Sequence, residues 1–374
     1  MIKKIKIISV LGTRPEFIKM SEVIKKFDTF YNHILLNTNQ NFEYELNQIF
    51  FKDLQLRKPD YTLKEIKNKS AISKISDNFV QFEIICKKEK PDAVVVLGDT
   101  NSSLIVYVAK RLKIPIFHIE AGNRCFDQRV PEEINRKVVD HLSDVNFVYS
   151  DLAREYLIKE NFSTDRVIKV GSPMKEIYNK NFSKIGKSQV LNKYKLKKKK
   201  YFLISFHREE HLDNKNKLSL FIKLIKFLVK DYNFDIIIST HYKLRHRLTE
   251  SKIFLKSKKV KFLKPFSYTD YCNLMLNSYC VLSDSGTIND EASIMGLKAI
   301  NLRETHERPE ADEEATVPLS GLDINLISNQ IIMQNKLNKP QLVNDYNVNN
   351  FSDKIIKLIG NFVNQINKDV WKKF

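Results

Sequence analysis

Glycine is scarce here: the chain has nine in 374 residues, far under the roughly 7% usual for soluble proteins. Each glycine therefore marks a place where the backbone needs freedom or bareness. Cysteine is scarcer still. Cys86, Cys125, Cys272 and Cys280 form no C-x-x-C pair and no zinc-ligand spacing with the eight histidines, so free thiols in a cytoplasmic protein are the expectation. No run of about 18 apolar residues occurs, which excludes a spanning helix of ordinary composition. The apolar run 7–11 stops at Gly12-Thr-Arg, too short for a signal peptide, and reads as a first strand. A G-x-x-x-x-G-K-[ST] sequence is also missing, which argues against a P-loop ATPase.

What is present fits two cores. The chain is long for one domain, and 43% hydrophobic residues with 11% aromatics fill two. A net charge of +19 would suit nucleic acid, an anionic membrane or a phosphorylated ligand. No nucleic-acid motif accompanies the scattered lysines, so a solvated basic surface is the better reading, with no nucleic-acid partner and no membrane insertion.

Short β-branched runs at 5–10, 34–37, 93–97, 114–118, 145–149, 202–206, 236–239, 260–263, 280–283 and 299–302 alternate with amphipathic segments. That rhythm predicts an α/β fold with parallel sheets covered by helices. Each run is apolar throughout, as suits strands buried on both faces. The polar stretch 179–200 separates the two series, and its lysine run 195–200 reads as a solvated approach to the next strand. Apolar residues at helical spacing from Ile355 to Ile366 predict a closing amphipathic helix. No internal repeat is visible.

Five glycines, Gly12, Gly98, Gly122, Gly171 and Gly286, follow predicted strands or apolar runs. Ligands bind at such carboxyl ends in open α/β sheets. Charged and polar residues gather at the same turns: Gly12-Thr-Arg-Pro-Glu, Gly98-Asp-Thr-Asn-Ser, His118-Ile-Glu-Ala-Gly-Asn-Arg, Phe206-His-Arg-Glu-Glu and Ser283-Asp-Ser-Gly-Thr. Ser285-Gly286-Thr287 opens a predicted helix, whose positive end and hydroxyls suit a diphosphate. Arg14, Lys19, His207 and Arg208 can add positive charge, and the run from Arg303 to Glu310, with Arg308 in it, is densely charged beside a buried strand. In the first half Asp99, Glu120, Glu132 and Glu133 suit proton transfer, because neighbouring acids and burial separate carboxyl pKa values. Pro131-Glu-Glu also reads as an ordinary helix start.

Gly12-Thr-Arg-Pro-Glu-Phe-Ile-Lys-Met, Gly98-Asp-Thr, His118-Ile-Glu-Ala-Gly-Asn-Arg, Pro131-Glu-Glu-Ile-Asn-Arg, His207-Arg-Glu-Glu, Ser283-Asp-Ser-Gly and Glu307-Arg-Pro-Glu, in this order and over nearly the whole chain, resemble the non-hydrolysing UDP-N-acetylglucosamine 2-epimerases. The resemblance implies two Rossmann-like domains of the glycosyltransferase-B type facing across a cleft. The expected boundaries are residues 1–172 joined by a returning helix 360–374, and residues 173–359. By the same resemblance Asp99, Glu120 and Glu132 serve the reacting carbon, with His207 in the catalytic set near the diphosphate. Arg14, Lys19, Ser285 and Gly286 would hold phosphates, with Thr287 where the family usually has a second glycine. Glu291 would take the ribose hydroxyls, Tyr271 would stack on uracil, and the Phe266 backbone would read the base, while Arg136, Arg208, Glu210 and Arg308 complete the substrate set. No cofactor or metal is implied, and a homodimer is the family expectation.

The implied reaction inverts C2 of a UDP-N-acetylhexosamine by expelling UDP and adding it back. The segment 118–137 with Gly171-Ser-Pro-Met is most similar to the branch that makes UDP-N-acetyl-L-fucosamine from UDP-2-acetamido-2,6-dideoxy-L-talose for surface polysaccharide. Thr38-Asn-Gln-Asn and His241-Tyr-Lys-Leu depart from the family's Thr-Gly-Gln-His and His-Pro-Asn-Pro, so effector control by UDP-N-acetylglucosamine is expected to be altered or missing. The alternatives are a UDP-N-acetylglucosamine/UDP-N-acetylmannosamine epimerase, a hydrolysing epimerase and a UDP-sugar glycosyltransferase.

Overall fold

Continuous apolar runs become central parallel strands because both of their faces are covered. The computed structural model describes residues 4–40, 44–64, 70–240, 242–250 and 257–373, with the backbone only at 44–48, 209, 210, 242 and 243. Strands β1 (Lys6–Leu11), β2 (Asn32–Asn37), β3 (Tyr61–Thr62), β4 (Ala93–Leu97), β5 (Ile116–Ala121), β6 (Val145–Val148) and β7 (Val167–Lys169) pair in the order β3-β2-β1-β4-β5-β6-β7. Strands β8 (Tyr201–Ser205), β9 (Asp235–Ser239), β10 (Val260–Leu263), β11 (Cys280–Ser283) and β12 (Ala299–Asn301) form a second sheet, β10-β9-β8-β11-β12. Neighbouring strands are parallel throughout both sheets. Each sheet runs outward from its first strand and then restarts on the other side, between β1 and β4 and between β8 and β11. Those switch points open a crevice at the strands' carboxyl ends.

The chain divides into two compact α/β units, 1–179 with 345–374, and 180–344. Residues 173–179 and 345–359 thus pack with the first unit rather than in the 173–359 span expected from the sequence. The reason is the closing helix, Phe351–Asp369. Its Phe351, Ile355, Ile359, Val363 and Ile366 are buried among Phe17, Met20, Val23, Ile24 and Phe27 of the Arg14–Phe30 helix. Tyr31 Oη donates to the Ile356 carbonyl at 2.5 Å, and the buried Glu176 carboxylate accepts from Ser352 N at 2.8 Å and Ser352 Oγ at 2.5 Å. Gly171, at φ +85°, lets the returning chain close: an added Cβ would sit 2.3 Å from Val348 and 2.9 Å from the Asp345 carbonyl.

Strand β5 runs further than the sequence pattern predicts. It ends at Ala121, and its register shifts between Ile119 and Ala121, where Glu120 takes φ +70°. A left-handed non-glycine residue inside a strand is costly, and the distortion redirects its side chain. The short strand β3 has no pattern of its own. The lysine run lies exposed around the buried Leu196. Among the described residues no helix is long and apolar enough to cross a membrane.

Candidate active site

The first unit places its chemistry on the turns after β1, β4 and β5. Glu16, in the first turn of the Arg14–Phe30 helix, accepts from Gly12 N at 2.6 Å and Thr13 N at 3.1 Å, while Thr100 Oγ1 donates to its other oxygen at 2.6 Å. One carboxylate so ties the β1 turn to the β4 turn. Burial pushes its carboxyl up to about 7, against the lowering effect of these donors. Gly12 is bare because Thr38 Oγ1 and Ser102 Oγ would lie 2.0 and 2.1 Å from any Cβ there. Arg14 stacks its guanidinium 4.0 Å over the Phe50 ring.

Two ion pairs organise the acids. Lys19 Nζ donates to both oxygens of Glu120, at 2.7 and 2.6 Å, and both side chains are buried. Arg136 bridges Asp99, at 2.7 Å, and Glu133, at 3.0 Å. Glu133 is fully buried and also accepts from the Cys125 and Phe126 backbone at 3.1 and 3.2 Å, which makes it a structural anchor. Its neighbour Glu132 is half-buried in the first turn of the Pro131–Leu142 helix. Beneath them His118 joins Asp140 at 2.8 Å and the Gly98 carbonyl at 2.9 Å, and Arg124 pairs with Asp140 at 2.7 Å. Burial alone would raise the Asp140 carboxyl, but His118 and Arg124 outweigh it and hold it below the usual carboxylate range. This network fixes the Gly98-Asp99 turn from below.

The second unit is organised around Asp284, just past β11. The carboxylate accepts from His207 N at 2.9 Å, Arg208 N at 2.9 Å and His211 Nδ1 at 3.1 Å, and its Oδ1 lies 2.9 Å from His207 Nδ1. Burial works to raise this carboxyl, yet the His207 charge and the two ring donors hold it far below the usual range. Gly286 lies at the start of the Ile288–Met295 helix, and an added Cβ would meet Glu307 Oε1 at 2.8 Å, Arg208 Nη2 at 3.5 Å and Arg303 Nη1 at 4.0 Å. A bare backbone beside two guanidiniums at a helix N-terminus is suited to an anion. Ser285 and Thr287 share a hydroxyl contact at 3.0 Å, and their own N–H groups turn back to Ser283 Oγ and Ser285 Oγ. Arg303 pairs with Glu307 at 2.8 Å, and Arg308 lies 3.6 Å from the buried Asp290.

Residues 25–360 match the family model for UDP-N-acetylglucosamine 2-epimerase. The chain belongs to this family. Members are isomerases that act on nucleotide sugars, and so is this chain. A UDP-N-acetylglucosamine 2-epimerase structure from Rickettsia bellii is 44% identical with a TM-score of 0.92, over 98% of this chain and 99% of that one. The Methanocaldococcus jannaschii UDP-GlcNAc 2-epimerase, in complex with UDP-GlcNAc and UDP, is 32% identical with a TM-score of 0.89, over 96% and 100%. A Pseudomonas aeruginosa UDP-2,3-diacetamido-2,3-dideoxy-D-glucuronate 2-epimerase is 30% identical over 81% of this chain and 84% of that protein.

Within this epimerase the residues singled out by sequence fall into two groups. In the first unit Glu120 meets Lys19 and Asp99 meets Arg136, while Arg14 stands in the first turn of the Arg14–Phe30 helix and Glu132 in that of the Pro131–Leu142 helix. His207, Arg208, Ser285, Gly286 and Thr287 come together in the second. Glu291 is buried on the Ile288–Met295 helix, Phe266 is buried edge-on to Tyr194, and Tyr271 is half-buried on the Tyr268–Asn277 helix. Glu210 falls in the short helix Glu209–Leu212, and its side chain lies outside the description, as do Asn41 and His241 of the two effector segments. Glu16, Asp140 and Asp284 are among the residues of this arrangement that have no role assigned from the sequence. Glu16 and Asp284 stand inside the quoted motifs, within two residues of others that do; Asp140, 22 positions from His118, gives no local signal.

Proposed function

We propose that this epimerase inverts C2 of a UDP-N-acetylhexosamine by elimination and re-addition of UDP. The observation that carries this reading is the division of labour: carboxylates held by cations, Asp99 by Arg136 and Glu120 by Lys19, on the turns of one unit, and in the other a bare Gly286 with Arg208, Arg303 and the Glu307 carboxylate beside it. The C2 hydrogen of an acetamido sugar has no adjacent carbonyl, so simple deprotonation would leave an unstabilised carbanion. As a carboxylate takes the C2 proton, the C1–O bond breaks and its electron pair leaves with UDP, giving a 2-acetamidoglycal. A carboxyl then returns a proton to the opposite face of C2 while UDP adds again at C1. Asp99, Glu120 and Glu132 serve the proton, and His207 with the cationic turn steadies the departing diphosphate. Arg14 and Lys19, the Phe266 backbone, Tyr271, Glu291 and Arg308 are the remaining proposed contacts. No metal or nicotinamide enters this chemistry.

The favoured pair is UDP-2-acetamido-2,6-dideoxy-L-talose and UDP-N-acetyl-L-fucosamine, supported by the 118–137 segment and Gly171-Ser-Pro-Met. UDP-N-acetylglucosamine and its C2 epimer are the second reading, favoured by the activities named for the Rickettsia and Methanocaldococcus proteins. We further propose a homodimer through the Ala71–Glu89 helix, where Ile72, Val80 and Ile84 are 75%, 57% and 63% exposed on one stripe. Sedimentation velocity checks that: a monomer at micromolar concentration would refute it.

Incubation with each UDP-sugar in D2O, with no acceptor, tests the reading. Deuterium at C2 of recovered nucleotide sugar is expected, faster for UDP-N-acetyl-L-fucosamine. Release of free sugar would point to a hydrolysing epimerase, and no exchange with either compound would reject epimerisation. A rate that depends strongly on added UDP-N-acetylglucosamine would contradict the expectation that effector control is altered or missing.

A further inference from the structure

We propose that Asp284 is the positioning residue for His207, holding the imidazole with Nδ1–H turned inward so that Nε2 is the atom presented to the nucleotide sugar. An ionised carboxylate only accepts hydrogen bonds, so the ring nitrogen 2.9 Å from its Oδ1 carries the proton. A neutral imidazole has one such proton, which leaves the Nε2 lone pair outward; a second proton makes Nε2 a donor to an anion. Ser205 Oγ also approaches Nδ1, but at 3.5 Å it is too far to set the tautomer against Asp284.

The surroundings keep this carboxylate from turning. Asp284 has no exposed surface, and the His207 side chain is 39% exposed, so the charge is inside and the working atom outside. Three donors converge on Asp284 Oδ2: His207 N at 2.9 Å, Arg208 N at 2.9 Å and His211 Nδ1 at 3.1 Å. His211 is itself fixed, stacked at 5.1 Å on Phe206, which stacks at 4.1 Å on Phe221. The same carboxylate orders the Arg208 backbone, whose guanidinium lies beside Gly286. Asp284 so aligns one ring and one cation at once.

This geometry makes Asp284→Asn selective. The three donors at Oδ2 claim the amide oxygen, which puts the NH2 group against His207 Nδ1 and demands the opposite tautomer. Such a reversal on a carboxylate–histidine pair costs as much as about 10⁴-fold in turnover in the serine-protease example. The catalytic half of the proposal rests on the epimerase reading above; the nitrogen assignment does not.

The test is 15N NMR of histidine-labelled full-length protein at neutral pH, with the His207 signals assigned by comparison with His207→Gln, together with kinetics of D284N. Wild type should show Nδ1 of His207 protonated. D284N should bind UDP within about threefold of wild type while kcat for C2 exchange falls at least about 100-fold. A wild-type His207 found protonated on Nε2 alone overturns the proposal, whether or not D284N folds. So does a D284N that keeps its kcat, or one that loses UDP affinity as steeply as kcat. If wild type itself exchanges no C2 hydrogen, the epimerase reading fails and the NMR result still decides the tautomer.

Discussion

The two units hold the acids at the centre of their turns in different ways. In the first, the acids at the turns are met by side-chain cations, Lys19 on Glu120 and Arg136 on Asp99. In the second, the central acid Asp284 is met by backbone N–H groups and imidazoles, and the guanidiniums of Arg208 and Arg303, the latter paired with Glu307, lie beside the bare Gly286. Guanidiniums beside a bare backbone at a helix start suit an anion, and carboxylates held by cations on neighbouring turns suit proton transfer. The contrast separates proton transfer from leaving-group binding, and it can be broken residue by residue.

The largest effect belongs to the first unit. Asp99→Asn should lower turnover by about 10²–10⁴-fold with UDP affinity nearly intact, because it alters proton transfer and not phosphate contact. Equal losses in turnover and in UDP binding, measured by calorimetry, would erase the contrast. Next comes the helix that binds the chain's end to that unit: Ile359→Ala should cost about 2–5 kcal/mol in urea unfolding, leaving kcat at 25 °C unchanged. A parallel fall in kcat would mean that the scaffold and the site are not separable.

Glu16 gives a pH signature confined to the first unit. Its folded carboxyl, pushed up to about 7 by burial, holds its proton to a higher pH than the ordinary value of 4.5. Its contribution is therefore complete below about pH 4.5 and is lost as pH rises through about 7, a swing of about 3 kcal/mol. Glu16→Gln is neutral throughout, so the wild-type advantage over the variant should shrink across that window in denaturant titrations. A constant difference would show that Glu16 titrates normally. The smallest effect tests the second unit: Gly286→Val should weaken UDP binding about tenfold by filling the space beside Arg208 and Glu307. Unchanged affinity would remove this turn from the diphosphate site.

Much of this architecture is legible in the amino-acid sequence. The apolar runs and the glycines after them locate the strands and their carboxyl ends, because buried parallel strands and bare turns leave local signatures. Topological switch points then explain why those turns assemble, since β1 with β4 and β8 with β11 are neighbours only in space. The extension of β5 through Glu120 is hidden because a bulge has no composition of its own. Asp140 and Asp284 escape notice for a related reason: their work lies in partners 22 and 77 positions away, and spacing along the chain does not reveal such pairs. The closing helix is recognisable by its periodicity, but its partner, the Arg14–Phe30 helix, is not.

The most direct measurement uses substrate carrying 18O in the bridge between C1 and the β-phosphorus, incubated in D2O and followed by 31P and 1H NMR. Elimination and re-addition predict that the label scrambles into the non-bridging β-oxygens, since free UDP rotates before it adds back, while deuterium appears at C2. Epimerised sugar that carries deuterium but retains all of its bridging 18O would contradict that route.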